Sequence, residues 1–112
     1  MHYHAHVYWR DYDQRGRALY IRSQLSELGC DLGRVMDAAI GPHPLPMYQA
    51  NYSTAIAESV ESLLKSTGLT VLLHEDTGDD IRDHTQGARW LGETLELDLV
   101  WLEQYTQSKE IS

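Results

Sequence analysis

Apolar and polar residues alternate at the start of the chain. Tyr3, Ala5, Val7 and Trp9 occupy the odd positions, and the even positions between them include histidines. An alternation of period two predicts a β-strand with two different faces. One face suits packing beneath helices. The other carries imidazoles and a phenol, and these residues are His2, His4, His6 and Tyr8.

Two later segments, residues 11–29 and 53–68, have apolar residues every three or four positions. This spacing predicts two amphipathic helices. Gly29 and Gly68 are expected to end them, because glycine readily adopts the left-handed conformation found after helices. The expected N-caps are Asp11 or Asp13 for the first helix and Ser53 or Thr54 for the second.

Three further strands are predicted, over residues 32–40, 47–52 and 69–74. The segment Gly41-Pro42-His43-Pro44 separates the first two, and proline cannot join an interior ladder. Residues 32–52 are therefore predicted to form a hairpin with His43 in its loop. The third of these strands is an apolar run that ends at His74.

The remainder of the chain is predicted to contain a third helix over residues 83–95. Asp83 is the expected N-cap, and Gln86 follows it at the spacing of a capping box. Residues 97–101 alternate again and favour a short extended segment. The polar residues 105–112 are expected to form a frayed tail.

These elements follow the order β-α-β-β-α-β with an appended C-terminal helix. This order predicts an α+β fold of the ferredoxin-like class, with an antiparallel sheet in the spatial order 4-1-3-2. A single domain is expected over residues 1–112. Helices cover one face of such a sheet. The other face would be buried by a ligand or by a second copy of the chain, so a homodimer is expected.

The predicted topology brings histidines together. The start of strand one, the loop between strands two and three, and the end of strand four lie at one edge of the sheet. Strands one and four are neighbours, about 5 Å apart. Five of the 6 histidines should therefore converge: His4, His6, His43, His74 and His84.

Clustered imidazoles would repel one another if they were protonated, and a divalent metal supplies a reason for clustering them. Imidazole suits Fe, Zn, Cu and Ni, and open sites with histidine and carboxylate ligands are typical of non-haem Fe(II) oxygenases. Nearby carboxylates are Glu75, Asp76, Asp79, Asp80 and Asp83. The single cysteine, Cys30, excludes an internal disulfide and a thiolate-rich zinc site.

Composition excludes several other classes of function. The formal net charge is −8, from 17 acidic and 9 basic residues, and no helix carries a basic stripe. Binding to nucleic acid or to an anionic membrane is therefore not expected. The sequence lacks an apolar run of the roughly 20 residues that span a membrane, and its first residues do not form a signal peptide. A soluble, cytoplasmic protein is expected.

The sequence resembles the small fungal and bacterial type of the DOPA 4,5-dioxygenase family. The resemblance covers most of the chain, and its motifs occur in the expected order at the expected intervals. The motifs are HVYW at 6–9, GPHPLPMY at 41–48, LTVLLHEDTGDDIRDHT at 69–85 and ARWLGETLELD at 88–98. One departure is Glu75, where the family pattern usually has proline after the strand-four histidine.

The resemblance implies extradiol cleavage of a catechol, such as DOPA or a related compound, by a non-haem Fe(II) and O₂. His6 and His74 are the expected ligands, with His43 as the third; another divalent metal such as Zn is the alternative cofactor. His84 is either a ligand or an acid/base, and His43 is the other candidate for that catalytic role. Three aromatic residues are candidates to pack on the substrate ring, with core packing as the alternative: Tyr8, Tyr48 and Trp90.

Two other functions stay open. One is a non-catalytic dimeric module that binds a metal or a small aromatic molecule without consuming O₂. The other is a structural domain with incidental histidines, in which replacing His6 or His74 changes stability only.

Overall fold

The structure is a computed structural model that describes the backbone of residues 1–111 and the side chains of residues 1–109; Ser112 lies outside the described residues. The strands are β1 His2–Tyr8, β2 Asp31–Leu32, β3 Met47–Ser53, β4 Val71–Glu75 and β5 Ala88–Leu91. The α-helices are α1 Tyr12–Tyr20, α2 Arg22–Leu28, α3 Ala57–Ser66, α4 Asp80–Asp83 and α5 Leu99–Ile111.

The strands form one antiparallel sheet in the order β2-β3-β1-β4-β5. Read from the other edge, this is the predicted order 4-1-3-2 with β5 added beside β4. The predicted α+β class with an antiparallel sheet and a C-terminal helix is confirmed. Strand β1 lies at the centre, and its backbone pairs with β3 on one side and with β4 on the other.

The main core lies between the sheet and helices α1, α2 and α3. Ala5 and Val7 of β1 are fully buried there with Leu25, Val60 and Leu73. Burial of a large aliphatic side chain stabilises a fold by about 1.5–3 kcal/mol. The predicted division of β1 into a helix-covered face and a histidine face is therefore confirmed.

The first predicted helix is two helices that meet at Ile21. Asp11 caps α1 as expected, since its side chain accepts a hydrogen bond from the backbone N–H of Gln14. Gly29 ends α2 with φ 111°, also as expected.

The predicted caps of the second helix are wrong. A short 3₁₀ turn, Thr54–Ile56, precedes α3, and no side chain caps either of them. The hydroxyl of Thr54 donates instead to the carbonyl of Met1. Gly68 follows the end of α3 with φ 71°.

The predicted strand over residues 32–40 is also wrong beyond Leu32. The chain makes only one more bridge to β3, between Met36 and Met47. Gly33 still donates its backbone N–H to the carbonyl of Gln49 at 2.7 Å, and a Cβ there would lie 3.2 Å from that oxygen, a close backbone approach that glycine permits. Residues 37–40 are exposed.

The predicted helix over residues 83–95 does not form. Only the single turn of α4 is helical, with Asp79 as its N-cap, and residues 88–91 form β5 instead. The free edge of β4 offers unpaired backbone groups that β5 satisfies. The side chain of Asp83, the predicted cap, turns inward and accepts hydrogen bonds from Thr77.

Helix α5 replaces both the extended segment predicted at 97–101 and the frayed tail. It continues to Ile111, and the last residue of the predicted tail, Ser112, lies outside the described residues. Leu102 is buried, and α5 lies over the histidine face of the sheet. A helix of the same chain thus covers part of the face expected to need a partner. Among the described residues, no helix is both long and apolar enough to span a membrane.

Candidate metal site

Five histidines meet on the α5 side of the sheet, as the topology predicts. The ring centroid of His6 lies 4.3 Å from that of His43, 5.1 Å from His74 and 5.7 Å from His84. The rings of His74 and His84 are 4.5 Å apart. His4 completes the cluster, with its ring centroid 5.1 Å from that of His74.

The sheet holds three of these histidines. His4 and His6 point to one face of β1 because they are two residues apart. His74 of β4 lies directly opposite His4 in the antiparallel register, while His6 lies opposite Leu72. His6 and His74 are therefore diagonal neighbours, which long side chains can bridge. The cluster thus depends on the register between β1 and β4.

Two loops supply the other imidazoles. His43 follows the turn at Gly41 and Pro42, and its backbone N–H donates to the carbonyl of Ile40. His84 follows the last residue of α4. The Tyr8 hydroxyl of β1 contacts the ring of His43, and Asp83 joins the segment before His84 to Thr77 after β4, so both imidazoles are held by contacts of their segments.

Backbone carbonyls determine which ring nitrogen carries the proton in two of the histidines. Nδ1 of His74 lies 3.0 Å from the carbonyl oxygen of Glu75, and Nδ1 of His84 lies 2.7 Å from that of Asp80. A carbonyl only accepts, so Nδ1–H must donate in both cases. In the neutral ring this leaves the Nε2 lone pair open. Such orientation by an outer hydrogen bond is typical of metal-binding histidines.

One polar atom of the buried His6 ring lacks a hydrogen-bond partner among the described residues. Its Nε2 lies 2.9 Å from Nε2 of His74, whose lone pair faces it. Nδ1 of His6 is buried and has no hydrogen-bond partner. A buried polar atom without a partner typically costs about 1–3 kcal/mol. A cation that displaces the proton shared by the two Nε2 atoms would gain both of them as ligands, so the donor set fits a divalent metal.

Burial favours the neutral form of four of the clustered imidazoles. Desolvation lowers the pKa of His43 to about 3 and that of His74 to about 4, and neighbouring histidines contribute to both shifts. Desolvation likewise lowers the pKa of His6 well below its ordinary value, and it lowers the pKa of His4. Neutral imidazole is the form that binds a metal.

Two triads have ligand atoms close enough to share one ion. They are His4 with His6 and His74, and His6 with His43 and His84; within each triad the atoms lie within 4.8 Å of one another. His6 belongs to both. The predicted ligand set of His6, His74 and His43 takes members from both triads and stays a prediction. His4 was not predicted as a ligand, although the spacing His4-x-His6 was a signal for it.

The nearby carboxylates are mostly engaged elsewhere. Asp83 binds Thr77, Asp79 caps α4, and Asp80 pairs with Lys109 at 3.4 Å. Asp76 lies 3.5 Å from Nε2 of His4. Asp76 is thus the carboxylate in contact with a clustered imidazole.

Two cavities adjoin the cluster. A cavity of about 220 Å³ lies between the histidine face and α5, and all five clustered histidines line it. A larger cavity of about 900 Å³ lies beside β5 and the segments 39–44 and 95–100. His43 and His84 line both cavities, so they form the junction between them. The larger volume is in the range of small-molecule sites.

The three predicted substrate-contact residues have different positions. Trp90 lines the larger cavity and stacks on Tyr8 with ring centroids 6.1 Å apart. Tyr8 is fully buried and lines neither cavity; its hydroxyl lies 2.7 Å from Nδ1 of His43. The prediction for Tyr48 is wrong, because its ring lies in the core on the opposite face and its hydroxyl donates to the carbonyl of Ala18.

Comparisons with known proteins give a family match and similar proteins for this chain. A family model described as the Dopa 4,5-dioxygenase family matches residues 3–101. An uncharacterised 21.2 kDa protein of Botryotinia fuckeliana is 35% identical over 80% of this chain. The match covers 53% of that relative, so the chain spans about half its length. A crystal structure from Nostoc punctiforme, described as "a putative dioxygenase", has a TM-score of 0.86 and 37% identity, over 93% of this chain and 92% of that one.

Proposed function

The chain belongs to the Dopa 4,5-dioxygenase family, and from this premise we propose that it is an extradiol dioxygenase that cleaves the ring of a catechol. DOPA or a related compound is the proposed substrate, with O₂ as the second substrate and His-bound Fe(II) as the cofactor. In such a reaction the C–C bond next to the diol breaks and both atoms of O₂ enter the product. The catechol supplies the electrons, so no external reductant is needed.

One observation carries the proposal: buried imidazoles from separate segments converge, and the Nε2 atoms of His6 and His74 lie 2.9 Å apart. His6 and His74 are the proposed ligands, and His43 is the proposed third. A bound Fe(II) would supply the redox and Lewis-acid chemistry that joins the diol to O₂. The hydrogen bonds from Nδ1 of His74 and His84 to carbonyls support this role, because they keep Nε2 free.

The larger cavity is the proposed catechol site. Its apolar side chains, including Trp90 and Leu97, exclude water and hold the ring, while His43 and His84 face it from the junction. A diol placed there lies within reach of either imidazole. We assign His84 as the proton acceptor for a catechol hydroxyl, with His43 as the other candidate, since a base must lie within hydrogen-bond reach of the proton it removes.

Oxygen uptake tests this proposal. The metal-free protein is reconstituted anaerobically with Fe(II), and a panel of catechols that includes DOPA is added with a known amount of O₂. We expect O₂ uptake equal to the formation of a yellow ring-cleaved product. The His74→Ala variant should lose this activity, because it removes a proposed ligand whose Nε2 lies 2.9 Å from that of His6.

The matched control is His2→Ala, which removes an exposed histidine from the same strand as His6. It should retain full uptake. Iron that binds stoichiometrically without any O₂ uptake would contradict the enzyme and favour the binding module. Protein that retains no iron would contradict the metal site itself.

The homodimer also stays a proposal. Helix α5 covers part of the histidine face, yet it exposes Leu99, Val100, Trp101 and Tyr105. Exposed apolar patches often mark interfaces between proteins. Sedimentation velocity on the full chain measures the mass in solution, and a monomer at all concentrations would contradict the dimer.

A further inference from the structure

The two cavities beside the histidines differ in the charges that line them. The smaller cavity is lined by one lysine, Lys109, together with two carboxylates, Asp76 and Asp80. Among the residues whose side chains the structure describes, no lysine or arginine lines the larger cavity, whereas two carboxylates, Glu96 and Asp98, do. A substrate in the larger cavity therefore meets negative charge without a compensating cation.

We propose that the larger cavity selects catechols whose side chain has no net negative charge over catechols whose side chain is anionic, and that Glu96 is the residue that discriminates between them. This inference rests on the proposed function, because it takes the larger cavity as the catechol site. Catecholamines, alkyl catechols and zwitterionic catechol amino acids such as DOPA are thus the preferred class of substrate.

The orientation of the substrate follows from the cavity. The diol must lie at the junction, because His43 and His84 are there and the other clustered histidines line only the smaller cavity. The ring then lies along the apolar wall formed by Ala88 and Trp90. Its substituent extends from the junction into the part of the cavity lined by the loop that carries Glu96.

The two carboxylates are not equivalent. Asp98 is part of the framework: its Oδ1 accepts from the backbone N–H of Trp101 at the start of α5, and its own N–H donates to the carbonyl of Pro42. Glu96 is exposed and makes no hydrogen bond or ion pair with the described part of the chain. Its carboxylate is therefore available to a ligand, and it can be replaced without breaking a structural contact.

A preference for anionic catechols would require a cationic side chain beside the catechol substituent. Lys109 lines the smaller cavity, where its ammonium is 3.4 Å from Asp80 and 4.7 Å from the ring centroid of Tyr105. A catechol carboxylate would reach Lys109 only if the substrate entered the smaller cavity of about 220 Å³. Replacing Lys109 therefore distinguishes a substituent bound in the smaller cavity from one bound in the larger cavity.

Anaerobic binding tests the selection without turnover. The Fe(II)-loaded protein is titrated by calorimetry with methylcatechol, dopamine and dihydroxyphenylpropionate, which are neutral, cationic and anionic at pH 7. At low salt we expect dopamine to bind about tenfold more tightly than the propionate, since attraction and repulsion at one exposed carboxylate are each modest. High salt should reduce this ratio, because exposed charges are screened.

Two glutamate variants test whether Glu96 is the residue that discriminates between the catechols. Glu96→Gln should reduce the ratio to about threefold or less, whereas Glu103→Gln, which removes an exposed carboxylate outside both cavities, should leave it unchanged. Equal binding of the three catechols would overturn the selection and leave the proposed function standing. A ratio that responds to Lys109→Met and not to Glu96→Gln would place the substituent in the smaller cavity and overturn the inference. Failure of all three catechols to bind would overturn both proposals.

Discussion

The hydroxyl of Tyr8 lies 2.7 Å from Nδ1 of His43, and both residues are buried. The contact joins the central strand to the proline-flanked loop and leaves Nε2 of His43 directed away from Tyr8. An imidazole that is held through one nitrogen presents the other in a defined direction. Tyr8 therefore positions an imidazole, which is a different role from the predicted contact with substrate.

Replacing Tyr8 with phenylalanine should weaken metal binding. The variant keeps the ring that packs on Trp90 and removes only the hydroxyl that contacts His43. Loss of an outer partner of a metal-binding histidine typically reduces metal affinity about 10- to 100-fold. We expect a loss of this size in a competitive titration with Zn(II) or Co(II), with an unchanged circular dichroism spectrum.

Tyr48→Phe is the matched control for this prediction. It removes a buried tyrosine hydroxyl on the opposite face, where the hydroxyl donates to the carbonyl of Ala18. It should lower the free energy of unfolding by about 1 kcal/mol and leave metal affinity unchanged. An equal loss of affinity in both variants would mean that Tyr8 acts through general stability and does not position His43.

Asp83→Asn should destabilise the loop that carries His84. The Asp83 side chain is 1% exposed, and its two oxygens accept from the backbone N–H and the hydroxyl of Thr77. An amide offers one acceptor oxygen for these two donors, and its NH₂ group would meet a Thr77 hydroxyl that already accepts from the backbone N–H of Asp79. We expect the free energy of unfolding in urea to fall by about 1–3 kcal/mol.

An exposed aspartate provides the comparison for Asp83. Asp13 lies on α1 with its side chain 88% exposed, so Asp13→Asn should change stability by less than about 0.5 kcal/mol. A small effect of Asp83→Asn, similar to that of Asp13→Asn, would show that the bonds to Thr77 do not hold the loop.

Glycines at positions 16 and 92 should respond to alanine in opposite directions. Gly16 lies within α1 and has no atom near a new Cβ, so Gly16→Ala should stabilise the protein by about 0.5–1 kcal/mol. Gly92 has φ +72°, and its Cβ would lie 3.0 Å from the carbonyl of Leu69, so Gly92→Ala should destabilise it by more than about 1 kcal/mol. Thermal unfolding measures both, and stabilisation by Gly92→Ala would contradict the close packing beside β4.

Periodicity in the sequence was sufficient to predict the central part of the fold. The alternation around His6 separates two faces of β1, and the rules for strand connections then place strands one and four side by side. The convergence of the histidines follows from these two facts alone. It required no side-chain detail, because strand neighbours and strand ends determine which residues share an edge.

Other features depend on tertiary choices that local patterns do not contain. Ala88 and Leu91 are three residues apart, which suits a helix, yet the open edge of β4 makes this segment a strand. The predicted contact of Tyr48 with substrate is wrong because its face depends on the register of β3. That register pairs Tyr48 with Val7 on the helix side of the sheet. Asp98 was the available signal for α5, since it precedes the helix and its carboxylate accepts from the N–H of Trp101.

The metal-free protein should lose stability as the pH falls below about 6.5. Burial lowers the pKa of His43 to about 3 and that of His74 to about 4 in the folded state, whereas the unfolded chain has the ordinary histidine pKa near 6.5. The unfolded state therefore binds more protons between pH 6.5 and 4, and each histidine lowers the free energy of unfolding by up to about 1.4 kcal/mol per pH unit. Urea unfolding at pH 7.5 and 5.5 measures this slope. The double variant His43→Gln/His74→Gln should reduce the slope of the free energy of unfolding against pH, whereas His2→Ala should leave it unchanged. Equal slopes in the unmodified protein and both variants would mean that the clustered imidazoles are not held neutral.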